Sequence, residues 1–96
     1  MPKAYIVANE TIKDPAGMAE YAKAAAPAII GGPGNLLALD PAPEELEGDW
    51  HGRQTVLMEF ESVEAARAWY HSDAYQKAIP LRREAAIFDA VIVHGR

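Results

Sequence analysis

The stretch between Phe60 and Arg83 holds most of the side chains in this chain that could bind or transform a small molecule. Its rings, hydroxyls, imidazole and guanidinium groups belong to Trp69, Tyr70, His71, Ser72, Tyr75, Arg82 and Arg83. Aromatic walls with a few polar groups are the usual composition of a small-molecule pocket. We therefore expect Trp69, Ser72 and Tyr75 to line a cleft between the second helix and a sheet. The competing interpretation is that the rings form core and that Ser72 only caps a helix.

Two arginines are candidates for holding an anionic group of a ligand. Arg82 and Arg53 could each bind a carboxylate through two parallel hydrogen bonds, because the guanidinium fork matches the carboxylate geometry. The alternative is a structural ion pair with an acidic side chain such as Glu59, Glu84 or Asp89. The ligand hypothesis predicts a small molecule that is partly aromatic or carries a carboxylate.

Histidine is the side chain best suited to act as a general base near neutral pH. The chain has three, His51, His71 and His94. His94, at the end of the predicted last strand, is the candidate catalytic base, and the alternative is a strand-end histidine without a role. The three lack the H-x-x-x-H spacing, so we expect no metal site. None is singled out as a proximal haem ligand, and we expect no cofactor.

Strands and helices alternate in the segments that must position these residues. The patterns predict four strands, at Ala4–Ala8, Leu36–Leu39, Thr55–Phe60 and Phe88–His94, a helix from Pro15, a second helix from Ser62 to about His71, and short helical pieces opened by Ser72 and Pro80. The order β-α-β-β-α-β is the ferredoxin-like pattern, an α+β fold in which helices cover one face of a four-stranded antiparallel sheet. At 96 residues, the range 1–96 is expected to form one domain.

The predicted strands are apolar on both faces, although helices on one side can cover only one face. In the last strand, Ala90 and Ile92 point one way while Val91 and Val93 point the other, and all four are apolar. A sheet that is apolar on both faces needs a second cover. The same face of a second copy supplies it, which predicts a two-fold homodimer. The alternative is a small apolar face exposed to solvent.

Composition excludes several classes of function. The formal net charge is −5 and no basic stripe is present, so we expect no nucleic-acid partner. The longest apolar runs fall well short of the about 18 residues that a membrane span needs. The chain has no cysteine, which excludes disulfides and thiolate catalysis. With no secretory signal visible, we expect a cytoplasmic protein.

The segment from Asp40 to Gly52 is predicted to be a long loop rich in Pro, Glu and Gly. A loop of this length is often functional. It carries Asp49-Trp50-His51, and a tryptophan in a loop normally needs cover. Trp50 therefore either packs on its own domain, reaches a second copy, or acts as the lid of a pocket.

Several short motifs along the chain resemble one known family. They are Ala4-Tyr5-Ile6, Asp14-Pro15 with Tyr21, Gly31-Gly32, Glu47-Gly48-Asp49-Trp50 with Arg53, Glu59-Phe60-x-Ser62 with Ala65-Ala66, Trp69-Tyr70-x-Ser72-x-x-Tyr75-Gln76, and Leu81-Arg82. Together they resemble the domain-of-unknown-function 1330 family of dimeric α/β-barrel proteins over nearly the whole chain. The resemblance implies the ferredoxin-like fold and a homodimer, and it implies no activity. Ala74 and the Asp40–Glu47 loop depart from the family pattern.

Two functions remain open at this point. The first is a dimer that binds a small molecule, with Trp69, Ser72 and Tyr75 shaping the pocket, Arg82 and Arg53 orienting an anion, and His94 as candidate base. Families with the same architecture include cofactor-free monooxygenases and muconolactone-type isomerases, so oxygenation or isomerisation is favoured over hydrolysis if the protein is an enzyme. Ser72 also lacks the context of a nucleophile elbow. The second is a structural or interaction module without a substrate.

Overall fold

The computed structural model describes residues 2–50 and 53–96. This part of the chain contains four strands and four helices. In chain order they are β1 (Ala4–Ile12), α1 (Pro15–Ile29), β2 (Asn35–Asp40), β3 (Gln54–Phe60), α2 (Val63–Tyr70), α3 (Asp73–Gln76), α4 (Ile79–Ala85) and β4 (Ala86–His94). The strands form one antiparallel sheet in the order β2-β3-β1-β4. The predicted ferredoxin-like α+β fold is confirmed.

The second helical region is divided into α2, α3 and α4 by its own capping residues. The hydroxyl of Ser62 accepts a hydrogen bond from the backbone N–H of Ala65 at 3.1 Å and begins α2. Ser72 does the same for Tyr75 and begins α3. Pro80 lies in the first turn of α4, where its missing N–H needs no partner. These caps confirm the predicted breaks, and they turn the chain so that Tyr75 is buried against α1.

The central strand β1 and the edge strand β4, which pair with each other, are longer than the sequence predicts. β1 continues to Ile12 instead of ending at Ala8, and β4 begins at Ala86 instead of Phe88. The two strands pair without interruption from Ala4 opposite His94 to Ile12 opposite Ala86. Residues such as Asn9 and Glu10 disfavour strands on their own. The ladder with β4 overrides that preference, which is why the predicted bounds are too short.

The core lies between the helices and one face of the sheet. It contains Ala4, Ile6, Met58 and Phe60 from the sheet and Ala25, Ala28, Ala66, Trp69, Tyr75, Ala78 and Ile79 from the helical layer. The opposite sheet face, here called the open face, carries no helix and includes Val7, Leu57, Ile87, Val91 and Val93. The side chains of Ile87 and Val91 are 53% and 57% exposed, which is unusual for branched apolar residues in a strand.

The loop after β2 lies partly against the open face. The indole Nε1 of Trp50 donates a 2.9 Å hydrogen bond to the hydroxyl of Thr55, whose strand neighbours on β1 place it on that face. His51 and Gly52, which complete the predicted loop, lie outside the described residues. Among residues 2–50 and 53–96, no helix is long and apolar enough to cross a membrane.

Candidate ligand-binding site

A cavity of about 520 Å³, here called the main cavity, lies between α1 and the helix-facing side of the sheet. Its walls are mostly apolar and include Ile6, Ala8, Met18, Ala22, Ala25 and Met58. The polar side chains that reach it include Glu10, Tyr21, Gln54 and Tyr75. Its volume lies within the range of about 300–1,000 Å³ that is usual for ligand pockets. The main cavity is therefore the first candidate for a binding site.

A chain of three polar side chains forms one wall of the site. Nη1 of Arg82 donates a 2.7 Å hydrogen bond to the hydroxyl of Tyr75. That hydroxyl lies 2.8 Å from the hydroxyl of Tyr21. Burial, reinforced by the neighbouring Tyr75, raises the pKa of the Tyr21 hydroxyl well above its ordinary value. The Tyr21 hydroxyl is thus a neutral phenol, and the permanent cation of Arg82 stands behind the pair.

Arg82 is buried, with 5% of its surface exposed. Its guanidinium carbon lies 3.6 Å from the centre of the Phe88 ring, a cation–π contact. Its Nε is buried without a hydrogen-bond partner. Arg82 lines a second cavity of about 510 Å³ beside β4, together with Arg83, Tyr70 and Phe88. A buried donor that lacks an acceptor is costly, so an anionic group nearby would stabilise this arrangement.

Trp69 and Ser72 hold the wall in place. The indole of Trp69 lines the main cavity and stacks on Tyr75, with the ring centroids 4.3 Å apart. Its Nε1 donates to the carbonyl of Ala28, which leaves no polar atom of Trp69 for a ligand. The hydroxyl of Ser72 donates to the carbonyl of Trp69 at 2.7 Å and also accepts from the Tyr75 backbone. Ser72 is not among the residues that line the main cavity; it fixes the turn that presents Tyr75.

Arg53 and His94 lie apart from this cluster. Arg53 is exposed, just before β3, and does not belong to the described lining of the main cavity. His94 ends β4 opposite Ala4, in a shallow depression with Lys3, Ser62 and Arg67. Because β1 and β4 are antiparallel, Phe88 lies opposite Glu10 at the other end of the sheet. The structure therefore brings together Trp69, Tyr75 and Arg82 and places His94 at the other end of the sheet. Arg53 directly precedes Gln54, which lines the main cavity, but is itself exposed and outside the lining.

Glu10 belongs to the site although its sequence position does not mark it as a candidate, and the same holds for Tyr21 and Gln54. Glu10 is 3% exposed and lines the main cavity from the central strand. Its Oε2 accepts a 3.3 Å hydrogen bond from Nε2 of Gln54. Burial raises the pKa of the Glu10 carboxyl above its ordinary value, while the Gln54 hydrogen bond and the charge of Arg82 lower it by less. Its place in the strand could have indicated that it lines the cavity, because alternate residues of a strand share a face and Glu10 continues the series Ala4, Ile6, Ala8.

The described residues show no arrangement suited to a metal ion. In residues 2–50 and 53–96, no group of three or more His, Cys, Asp or Glu side chains could hold one. His51, one of the three histidines of the chain, lies outside the described residues. Trp50, whose indole N–H is held by Thr55, is not among the residues lining the main cavity. The chemistry available at the site is therefore that of a carboxyl, an amide and three phenols, with the guanidinium of Arg82 behind Tyr75.

The fold is shared with several solved structures at low sequence identity. SnoaB from Streptomyces nogalater, a cofactor-independent oxygenase, superposes with a TM-score of 0.70 at 13% identity, covering 100% of this chain and 95% of that one. A dimeric ferredoxin-like protein of unknown function from Thermobifida fusca gives a TM-score of 0.67 at 17% identity, with 97% and 91% coverage. The RPA0582 protein of Rhodopseudomonas palustris, also of unknown function, gives 0.68 at 17%, with 97% and 80% coverage.

At these identities the likeness shows the fold alone. A comparison with curated proteins found no match. The family model described as "Domain of unknown function (DUF1330)" matches residues 3–96, which is nearly the whole chain. The agreement of motifs, fold and family model leads to one conclusion: this chain belongs to the DUF1330 family.

Proposed function

We propose that this protein binds a small, flat, partly aromatic molecule in the main cavity and orients its oxygen or carboxylate group with Tyr21 and Tyr75, behind which Arg82 supplies a positive charge. The observation that carries the proposal is the buried guanidinium of Arg82, 2.7 Å from a hydroxyl at the wall of an otherwise largely apolar cavity. A core that only packs would not need a buried guanidinium behind Tyr75. A binding site that orients an anion or a polarised oxygen does.

The walls suit an aromatic body. Trp69 and Tyr75 are stacked, and Tyr70 and Phe88 also line the main cavity. Aromatic rings contribute large contact areas and favour offset or edge contacts with other rings. The neutral phenol of Tyr21 donates a hydrogen bond without adding a charge, so an oxyanion is not repelled. The ligand class that fits is a phenol, enol or aryl carboxylate.

A cofactor-independent oxygenase or isomerase activity is compatible with this ligand class. The support is the shared fold with SnoaB, together with phenol and guanidinium groups that favour a developing oxyanion. The competing function is an interaction module. It is favoured by the hydrogen bonds of Trp69 and Ser72, which are all made within the chain.

We also propose a homodimer that forms through the open face. Ile87, Val91 and Val93 expose about half of their side chains there, at 53%, 57% and 44%. The Thermobifida fusca structure, which is described as dimeric, covers 97% of this chain. Burying two such faces against each other would remove the exposed patch.

Isothermal titration calorimetry with 2-naphthoate, 2-naphthol and cyclohexanecarboxylate tests the binding proposal. The two aromatic probes should bind more tightly than the saturated carboxylate. Arg82→Met should weaken 2-naphthoate binding by about tenfold or more, because it removes the charge-assisted hydrogen bond, of about 1.5–3 kcal/mol, that fixes and polarises the Tyr75 hydroxyl at the cavity wall. The matched control is Arg67→Met, which removes an exposed arginine of α2. If no probe binds at millimolar concentration and native mass spectrometry shows no co-purified ligand, the interaction module replaces the proposal.

A further inference from the structure

Glu10 is the one carboxyl among the described side chains that line the main cavity. Its strand position places it between Gln54 on β3 and Phe88 on β4. The guanidinium carbon of Arg82 lies 3.6 Å from the centre of the Phe88 ring. The floor of the cavity thus carries an acid beside an amide and an aromatic ring, and the wall formed by α1 and α3 carries the two phenols.

The Glu10 carboxyl accepts a hydrogen bond, but its partner Gln54 carries no charge. Its hydrogen bond from Gln54 is long, 3.3 Å, and comes from an uncharged amide. Pro15, Ile12 and Met18 supply apolar surroundings in the same cavity. A carboxylate in such surroundings is a stronger base than one in water, because burial favours its protonated form. The charge of Arg82 keeps the ionised form accessible.

The phenol wall supplies the complementary group. Tyr21 and Tyr75 share a 2.8 Å hydrogen bond, and Arg82 donates to the second of them. Donors fixed in place before a reaction stabilise a negative charge that develops on an oxygen. A base on one side and oxyanion donors on the other are the two parts that enolisation of a carbonyl compound requires.

We infer that Glu10 is the catalytic base that removes a proton from the carbon next to a ligand carbonyl, while the hydrogen-bonded pair Tyr21 and Tyr75, polarised by Arg82, donates its free phenolic proton to the enolate oxygen. The inference rests on the proposed ligand site. The C–H bond breaks, its electron pair forms the enolate C=C bond, and the carbonyl π pair moves onto oxygen. The proton forms an O–H bond on Glu10 and returns either to the same carbon or to a conjugated one. The second outcome isomerises the ligand, and neither outcome needs an oxidant or a cofactor.

Gln54, Tyr21 and His94 are less suited to this role than Glu10. Gln54 is an amide and cannot accept a proton, and the raised pKa of Tyr21 keeps it protonated. His94, the base suggested by the sequence, lies at the opposite end of β4. The residue on the opposite side of β1, Asn9, belongs to the open face.

Deuterium exchange into 2-tetralone tests the inference, because this bicyclic ketone has acidic protons next to its carbonyl. Exchange in D2O is followed by proton NMR with and without the protein. The wild-type protein should accelerate exchange above the buffer rate. Glu10→Gln, which preserves shape, should reduce the acceleration by about a hundredfold. The matched control, Glu20→Gln on the exposed side of α1, should exchange like wild type.

Binding of 2-naphthol, which resembles the enol of 2-tetralone, separates this inference from the proposed function. Retained 2-naphthol binding without accelerated exchange overturns the enolisation and leaves the binding site standing. Equal exchange in wild type and Glu10→Gln overturns the role of Glu10. Failure of 2-naphthol to bind overturns the binding site and the inference together.

A second variant covers the case in which Glu10→Gln does not fold. Glu10→Ala should lose the exchange, and added acetate should restore part of it by supplying a carboxylate to the vacated space. A merely structural role for Glu10 would not respond to acetate. Full exchange in Glu10→Ala without acetate contradicts the inference.

Discussion

The indole Nε1 of Trp69 donates a 2.8 Å hydrogen bond to the carbonyl oxygen of Ala28, a residue 41 positions earlier in the chain. Ala28 lies in the last turn of α1, where carbonyls lack partners within the helix. The same indole stacks on Tyr75. One side chain therefore joins α1, α2 and α3 behind the main cavity.

Replacing Trp69 should destabilise the fold. Trp69→Phe leaves the Ala28 carbonyl buried without a donor and removes part of a packed ring, so we expect a loss of about 2–4 kcal/mol in the free energy of unfolding. Urea denaturation at fixed protein concentration measures it. Trp50→Phe is the control, since Trp50 is half exposed and should change stability by less than about 1 kcal/mol. Equal losses in the two variants would contradict this account.

The hydroxyls of Tyr21 and Tyr75 should be energetically coupled, and unequal in effect. Tyr75→Phe removes the acceptor of the Arg82 hydrogen bond and should cost about 1.5–3 kcal/mol, whereas Tyr21→Phe should cost about 0.5–1.5 kcal/mol. A double-mutant cycle from urea unfolding should give a coupling above about 0.5 kcal/mol. Additive losses would show that the 2.8 Å contact contributes nothing to stability.

Glu10 should make the protein less stable as pH rises. Its folded pKa is above 4.5, so between 4.5 and the raised value the folded state holds more protons than the unfolded state. The stability that Glu10 contributes is therefore fully present below pH 4.5 and is lost as pH rises through its folded pKa. Glu10→Gln should remove this part of the pH dependence and should be more stable than wild type at pH 7. The measurement is the difference between the denaturation midpoints of wild type and Glu10→Gln from pH 4 to 7. The effects of the other carboxylates are common to both proteins and cancel in this difference.

The homodimer proposal predicts that a charge on the open face separates the copies. Val91→Lys should yield monomers, because burying two unpaired ammonium groups in an apolar interface is costly. Light scattering coupled to size exclusion gives the mass directly. Ala68→Lys, on the exposed side of α2, is the control and should stay dimeric. Wild-type protein that is monomeric at micromolar concentration would end the proposal.

Element order and most helix breaks could be predicted from the sequence, because they depend on local signals. Ser62 and Ser72 are caps in the sequence pattern and in the structure. The grouping of Trp69, Tyr75 and Arg82 followed from helical proximity. Strand lengths could not be predicted, since the two partners of β1 are distant in the chain: Glu10 pairs with Gln54 of β3 and with Phe88 of β4, and these ladders extend the strand.

The composition of the cavity escaped the sequence for the same reason. With β1 ending at Ala8, Glu10 belongs to a loop, where a carboxylate is normally solvated. Once β1 reaches Ile12, alternation places Glu10 under α1. Tyr21 belongs to the sequence motif with Asp14-Pro15, but its contact with Tyr75 is set by the turn at Ser72. The position of His94 outside the cavity could not be predicted either, because only the register of β4 against β1 shows which end of β4 meets the cavity.

β1 has consequences for how this protein can diversify. It is one layer of backbone with the cavity on one side and the open face on the other, so Asn9 and Glu10 point in opposite directions. A one-residue insertion in this strand would exchange the cavity floor for the outer surface. Sites built on loops tolerate such insertions. Here new ligand preferences must arise by replacing side chains at fixed positions, and a family built this way would vary in its chemistry while its length stays nearly constant.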